Sequence, residues 1–198
     1  MPTSYNIILA SKSPRRKTLL EEMGFKFSIQ ETRVEEIYPS HLIKDKHAEF
    51  LSAQKAAAVS IDLEEELVIA ADTVVYLGEL HLGKPANANE AKLMLQLLSG
   101  KRHDVITGVT LRSLEMEHTF SCLTQVLFSI FEDRHIDTYI NKFQPFDKAG
   151  AYGIQELVSP GGEQIGPLKI EKIEGSYTNV MGLPVEELAI RMDEFLIR

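Results

Sequence analysis

Hydrophobic and polar positions alternate along this chain with a period that changes several times. The chain opens with "NIILASKSPRRKTLLEEM", residues 6–23. Ile7, Ile8, Leu9 and Ala10 form a short apolar run of strand type. Ser13 then stands where a helix N-cap belongs, with Pro14 at the first helical position, predicting a helix over about 14–23. Gly24 closes the turn, and "FKFSI", 25–29, alternates like a short strand. "ETRVEEIYPS", 31–40, is acidic and irregular, and a helix is predicted from about 41 to 58.

"ELVIAADTVVYL", 66–77, carries the strongest strand signal. It is nearly continuous and apolar, as for a strand buried on both faces, and only Asp72-Thr73 interrupts it. "GELHLGKP" reads as a return strand and turn. "ANANEAKLMLQLLSGK" reads as a helix capped by Asn87, with Glu90 as capping-box partner and Gly100 as terminator. Two long strands are predicted over 103–115 and 118–131, then a helix over about 134–142 capped by Asp133. "DKAGAYGIQ", 147–155, is punctuated by glycine, "SPGGEQIGP" is a loop, and "LKIEKIEGS" is strand-like. Pro184 opens a last helix whose Val185, Leu188, Met192, Phe195 and Leu196 share one face. Helices alternate with strands without repeat or clear linker, which predicts one domain of α/β or α+β class over 1–198.

Composition narrows the function classes. The 198 residues are 44% hydrophobic and 25% charged, ordinary values for a globular protein. No run approaches the ~18–20 apolar residues of a membrane span. "MPTSYN" lacks the basic and apolar regions of a secretory signal, and the single cysteine, Cys122, excludes an intrachain disulfide. The expected location is the cytoplasm. A net charge of −8 argues against nucleic acid as a partner. A polyphosphate ligand would need a local cationic pocket, a divalent metal, or both.

The first candidate pocket is the corner at 13–17. Arg15, Arg16 and Lys17 sit where the helix dipole favours carboxylates. Exposed cations can persist there without function, at ~0.3–1 kcal/mol each. Alternatively, an N-capped helix beside paired arginines is an anion site, since backbone N–H groups and guanidinium forks both suit phosphate oxygens. Asp72 is the second candidate. A carboxylate in so apolar a run is costly to bury unpaired. It is either a local pair near a strand end, or a metal ligand, a base, or both, at a cleft. Lys84 in "LGKPANA" sits in a turn stiffened by proline, able to aim an amine, and Lys55 in "SAQKAAA" stands among small residues. Glu35 and Glu36 read as a charged loop. His103 and Thr107 in "HDVITGV" line a strand end or satisfy backbone groups. Cys122 reads as inert core. No P-loop, no H-E-x-x-H and no G-x-S-x-G elbow occurs.

In order, "ASKSPRR", "VEE", "QKA", "AADTVV", "GKP", "HDVITGV", "DKAGAYGIQ" and "EGSYTNVMGLP" resemble the Maf family of nucleoside triphosphate pyrophosphatases over essentially the whole chain. The resemblance implies an α/β fold like that of inosine triphosphate pyrophosphatases: a mixed sheet with flanking helices, two lobes around a central cleft. It also implies a divalent metal, Mg²⁺ or Mn²⁺, and a homodimer. Carried over residue by residue, Asp72 is the proton acceptor, and Arg15, Thr73 and Gln155 fall on positions associated with substrate choice. Ser13, Arg16, Glu36, Lys55 and Lys84 line the site, with Asp72 and Glu36 as metal ligands. This chain departs from the shorter family form at "ELVSPGGEQIGPLKIEK", which is extended.

The activity so implied is hydrolysis of a nucleoside triphosphate to the monophosphate and pyrophosphate. The "GAYGIQ" form resembles the branch acting on dTTP and UTP. Gln155 suits that choice, because its amide offers one acceptor and a donor NH₂ to a uracil or thymine edge. A rival is a non-catalytic nucleotide-responsive regulator of septum formation.

Overall fold

The computed structural model describes residues 5–32, 34, 37–39 and 41–197. In chain order the elements are β1 (Asn6–Leu9), α1 (Pro14–Glu22), β2 (Phe27–Ile29), α2 (Lys44–Ala57), β3 (Glu66–Leu77), β4 (Leu80–His81), α3 (Ala88–Leu98), β5 (Arg102–Arg112), β6 (Glu117–Phe128), α4 (Asp133–Phe143), β7 (Ile170–Glu174), α5 (Tyr177–Met181) and α6 (Val185–Ile197). Two short 3-10 turns, Ala149–Ala151 and Ile154–Glu156, lie between α4 and β7. The strands form one sheet of order β2-β1-β3-β5-β6-β7, with β4 paired to β3. β1 runs parallel to both β2 and β3, whereas β4 and β7 pair antiparallel with β3 and β6. This is the mixed α/β sheet with flanking helices that the family resemblance implies, and it lies within the α/β or α+β class that the alternating pattern predicts. No helix among the described residues is long and apolar enough to cross a membrane.

Contacts divide the chain into two compact units. The first comprises Met1–Thr73, Thr107–Cys122 and Gly182–Arg198; the second comprises Val74–Ile106 and Leu123–Met181. In the first, β1 is flanked by β2 and β3, so Leu9 and residues Leu67 to Ala71 of β3 are sealed from water. One face of this layer packs under α2, where Ile8, Ala10, Val68 and Ala70 meet Ala56 and Val59. α2 also lies directly on β5: a Cβ at Gly108 would fall 2.3 Å from the Ala48 carbonyl, so only glycine allows that approach. In the second unit, α3 and α4 bury Leu95, Leu98, Ile136 and Tyr139 against Val105, Val126 and Phe128. Fully burying each such aliphatic side chain contributes about 1.5–3 kcal/mol.

Several boundaries moved for local reasons. α2 begins at Lys44 rather than 41. Asp133 is the first residue of α4 rather than its cap; it accepts a hydrogen bond from Gln96 Nε2 at 3.0 Å, and Glu132 holds the N-cap position without a side-chain capping bond. Asn87 caps α3 as predicted, accepting from Glu90 N–H at 3.0 Å. The return bond shifts by one residue, because Glu90 Oε2 accepts from Ala86 N–H at 2.8 Å. The extended stretch after Gln155 is organised by Gln164. Its amide nitrogen donates to the carbonyls of Gly166 and Leu168, both at 2.9 Å, and a short bridge joins Val158 to Gln164.

Candidate active site

β1 ends at Leu9 opposite Ile69, and β3 continues past it. Asp72 and Thr73 therefore lie beyond the carboxyl end of β1, the position where parallel α/β sheets place ligands. Successive strand residues point to opposite faces, and the two side chains reach different helices. Asp72 accepts from Lys55 Nζ, in the last turn of α2. Thr73 Oγ1 accepts from Arg16, in the first turn of α1, at 3.0 Å and lies 2.9 Å from Thr107 Oγ1 on β5. The Asp72 side chain is 9% exposed and that of Lys55 15%. Burial on this scale demands a partner, and Lys55 supplies the countercharge. Of the two readings open for Asp72, the local pair exists, but in mid-strand and to a cation 17 residues away in sequence.

Arg16 explains part of the cationic corner. Its Nε donates to the Gly182 carbonyl at 2.7 Å, and its two terminal nitrogens donate to Thr73 Oγ1 at 3.0 Å and Ser11 Oγ at 3.4 Å. One guanidinium thus ties together the β1–α1 corner, β3 and the segment that leads into α6. Ser13 occupies the N-cap position, but its side chain makes no capping bond; the Ser11 hydroxyl instead accepts the Ser13 N–H at 3.1 Å. Lys17 turns away to an exposed pair with Glu21 at 3.7 Å. Arg15 is half-buried at the start of the same helix. Glu36 lies outside the described residues.

The second unit carries Lys84 and Gln155. Lys84 is exposed. The Gly150 N–H donates to the carbonyls of both Leu82 and Gly83 at 3.1 Å, which joins the "GKP" turn to "DKAGAYGIQ". Gln155 lies in the turn Ile154–Glu156, half-buried, and its Oε1 is shut from water with no hydrogen-bond partner among the described residues. Its amide folds back over Gly153: a Cβ there would lie 2.8 Å from Nε2 and 3.1 Å from Oε1.

Around that turn lie three residues that the sequence did not single out. Tyr139 Oη accepts the Gly153 N–H at 2.9 Å and donates to Glu156 Oε2. Lys148 Nζ lies 3.1 Å from Glu156 Oε1 and 2.8 Å from Asp147 Oδ1. Burial first, then the Glu156 charge, pushes the Tyr139 phenol well above its usual range, so it stays a donor. Tyr139 sits on the apolar face of α4 and reads as core; only "DKAG" hinted at Lys148.

His103 is a buried interior histidine. Its Nε2 lies 2.8 Å from Tyr152 Oη, and burial lowers its pKa to about 4. Cys122 is half-buried, and burial, with the Glu187 charge adding, pushes its thiol up to about 11, consistent with an inert role.

The chain is similar to known proteins over most of its length. A dTTP/UTP pyrophosphatase of Cytophaga hutchinsonii is 46% identical over 189 residues, 96% of this chain and 84% of the relative. One from Phocaeicola vulgatus is 45% identical over 93% of both chains. One from Bacillus cereus is 43% identical over 96% of this chain and 95% of its own. The Ham1 protein of Staphylococcus aureus is similar at 15% identity and a TM-score of 0.41, covering 63% of this chain and 72% of that one, too slight a likeness to fix a fold. The family model described as Maf-like protein matches residues 6–195, and the chain belongs to the Maf family.

Proposed function

We propose that the protein hydrolyses dTTP and UTP to the monophosphate and pyrophosphate, as the names of its relatives suggest. The observation that carries this reading is Asp72, a carboxylate buried at the end of a parallel strand pair and held by Lys55. Water attacks the α-phosphorus, and pyrophosphate leaves. Asp72 takes the proton of the attacking water. Lys55 orients that carboxylate and offsets its buried charge. Arg15, Arg16 and Lys84 neutralise phosphate oxygens, where positioning and charge stabilisation are most of the task. Thr73 fixes the Arg16 guanidinium. Ser13 presents its helix terminus to the phosphates.

The donor set fits a cation of the magnesium type, which binds through one or two carboxylates together with substrate phosphate oxygens. Among the described residues Asp72 offers such a carboxylate, and the adjacent Thr73 is bonded to Arg16 of the cationic corner. Asp72, with Glu36, would hold Mg²⁺ or Mn²⁺, which supplies neutralisation of phosphate charge when bound.

Base choice is assigned to Gln155, with Arg15 and Thr73 in support. A uracil or thymine edge presents an N–H between two carbonyls, and one amide can accept from the first and donate to the second. The buried Oε1 without a partner supports this role, since such an atom carries a desolvation cost that a ligand N–H relieves. The same reading places the enzyme in the cytoplasm as a homodimer, which light scattering of the purified protein tests.

Pyrophosphate release from a panel of nucleoside triphosphates, with and without Mg²⁺, tests the activity. Turnover of dTTP and UTP is expected, and Asp72→Asn should lower it about a hundredfold or more. Nucleotide binding without release of pyrophosphate would support a regulator instead.

A further inference from the structure

Resting on the assignment of Gln155 to base recognition, the geometry points to Tyr139, Glu156 and Lys148 as positioning residues that set base discrimination by aiming the Gln155 amide. One hydroxyl ties both ends of the turn that carries Gln155. Tyr139 Oη accepts from Gly153 N–H at 2.9 Å, two residues before Gln155, and donates to the Glu156 carboxylate, one residue after it. The turn is closed within itself by Glu156 N–H donating to Gly153 C=O at 3.1 Å. Tyr139 is fully buried in the core under α4, so the anchor is rigid. Lys148 completes the frame. Its Nζ pairs with Glu156 at 3.1 Å, and its Cε lies 3.0 Å from where a Gly153 Cβ would stand, against the same space the Gln155 amide occupies.

The charge arrangement bears on specificity. A carboxylate only accepts hydrogen bonds, and guanine's two adjacent N–H donors would suit it. Glu156 stands next to Gln155 in the turn, but each of its oxygens has a partner, Lys148 at Oε1 and Tyr139 at Oε2. Gln155 Oε1 has none among the described residues. The network thus occupies the acidic neighbour and leaves the amide as the group that meets the base. Burying a Lys–Glu pair stabilises little compared with apolar packing of the same volume, so its return is fixed geometry rather than stability.

The test is a double-mutant cycle read in kcat/KM for UTP against GTP. Tyr139→Phe keeps the ring and deletes the hydroxyl. It should lower the UTP/GTP ratio about fivefold or more, through KM for UTP with kcat changed less than about threefold. In a Gln155→Ala background the same change should move the ratio less than about twofold, because Tyr139 acts through Gln155. An unchanged ratio in the first background, or an equal fall in both, overturns the proposal. If Tyr139→Phe does not fold, Lys148→Met, which removes the other partner of Glu156, is read against the same two thresholds. A wild-type protein that hydrolyses neither UTP nor dTTP overturns the substrate assignment and this inference together. A wild type that does, with a ratio insensitive to these variants, overturns this inference alone.

Discussion

Lys55 donates from Nζ to Asp72 Oδ1, joining the last turn of α2 to the interior of β3. The Asp72 carboxylate is nearly sheltered from water, so removing the Lys55 ammonium strands it. Lys55→Met should therefore destabilise the fold by about 3 kcal/mol, the usual cost of leaving one member of a buried ion pair alone. Denaturant unfolding near neutral pH measures it. A variant as stable as wild type would show that water reaches Asp72 in place of the ammonium.

Thr73 Oγ1 stands between Arg16 and Thr107. Thr73→Val keeps the shape and removes the hydroxyl, leaving Arg16 one acceptor short. The expected loss is about 1–2 kcal/mol, and Thr73→Ser should restore most of it. Thermal unfolding of the two variants side by side is sufficient; equal melting temperatures would remove the bracing role.

Gly153 has φ −118, a backbone that any residue adopts, so its glycine answers to space rather than to strain. A methyl group there meets the Gln155 amide and the Lys148 stem at 2.8–3.1 Å. Gly153→Ala should displace the amide and raise KM for UTP about tenfold, with a smaller effect on kcat. Steady-state kinetics decide, and an unaltered KM would mean that Gln155 does not touch the base.

Gln155→Glu replaces a donor–acceptor amide with an acceptor-only group. Hydrolysis of dTTP and UTP should weaken, by about tenfold or more in kcat/KM, relative to GTP. Unchanged preference would move base recognition elsewhere.

His103 gives the fold a pH dependence. Its folded pKa of about 4 lies below the ordinary value of 6.5, because burial disfavours the charged ring. The contribution is complete above pH 6.5 and is lost as pH falls from 6.5 toward 4, amounting to about 3 kcal/mol. His103→Gln should flatten the stability curve across that window. A variant curve parallel to wild type would show that other groups dominate acid unfolding.

Local periodicity was legible in the sequence wherever one short stretch carried the information. The strand at 66–77, the Asn87 cap and the apolar face of α6 follow from side-chain spacing along a few turns. Element ends were less legible, since Asp133 enters α4 instead of capping it once Gln96 from another helix offers a bond. Of the site, the sequence marked Asp72, Arg16 and Lys55 by their surroundings, and Gln155 only through the family resemblance. It could not say that Arg16 is held by Ser11, Thr73 and Gly182, because those partners lie 5, 57 and 166 residues away. Nor could it mark Tyr139, whose place on an apolar helix face is the same whether its hydroxyl is idle or binds the Gln155 turn.

Sequence alone determined which segments become helix or strand and which residues are too polar for their neighbours, since both depend on nearest neighbours along the chain. Tertiary structure decided the partners: Lys55 for Asp72, Thr73 for Arg16, Tyr139 for Gly153 and Glu156. Hydrogen bonds and ion pairs act over a few ångströms in space, and sequence separation does not specify which groups folding will bring that close.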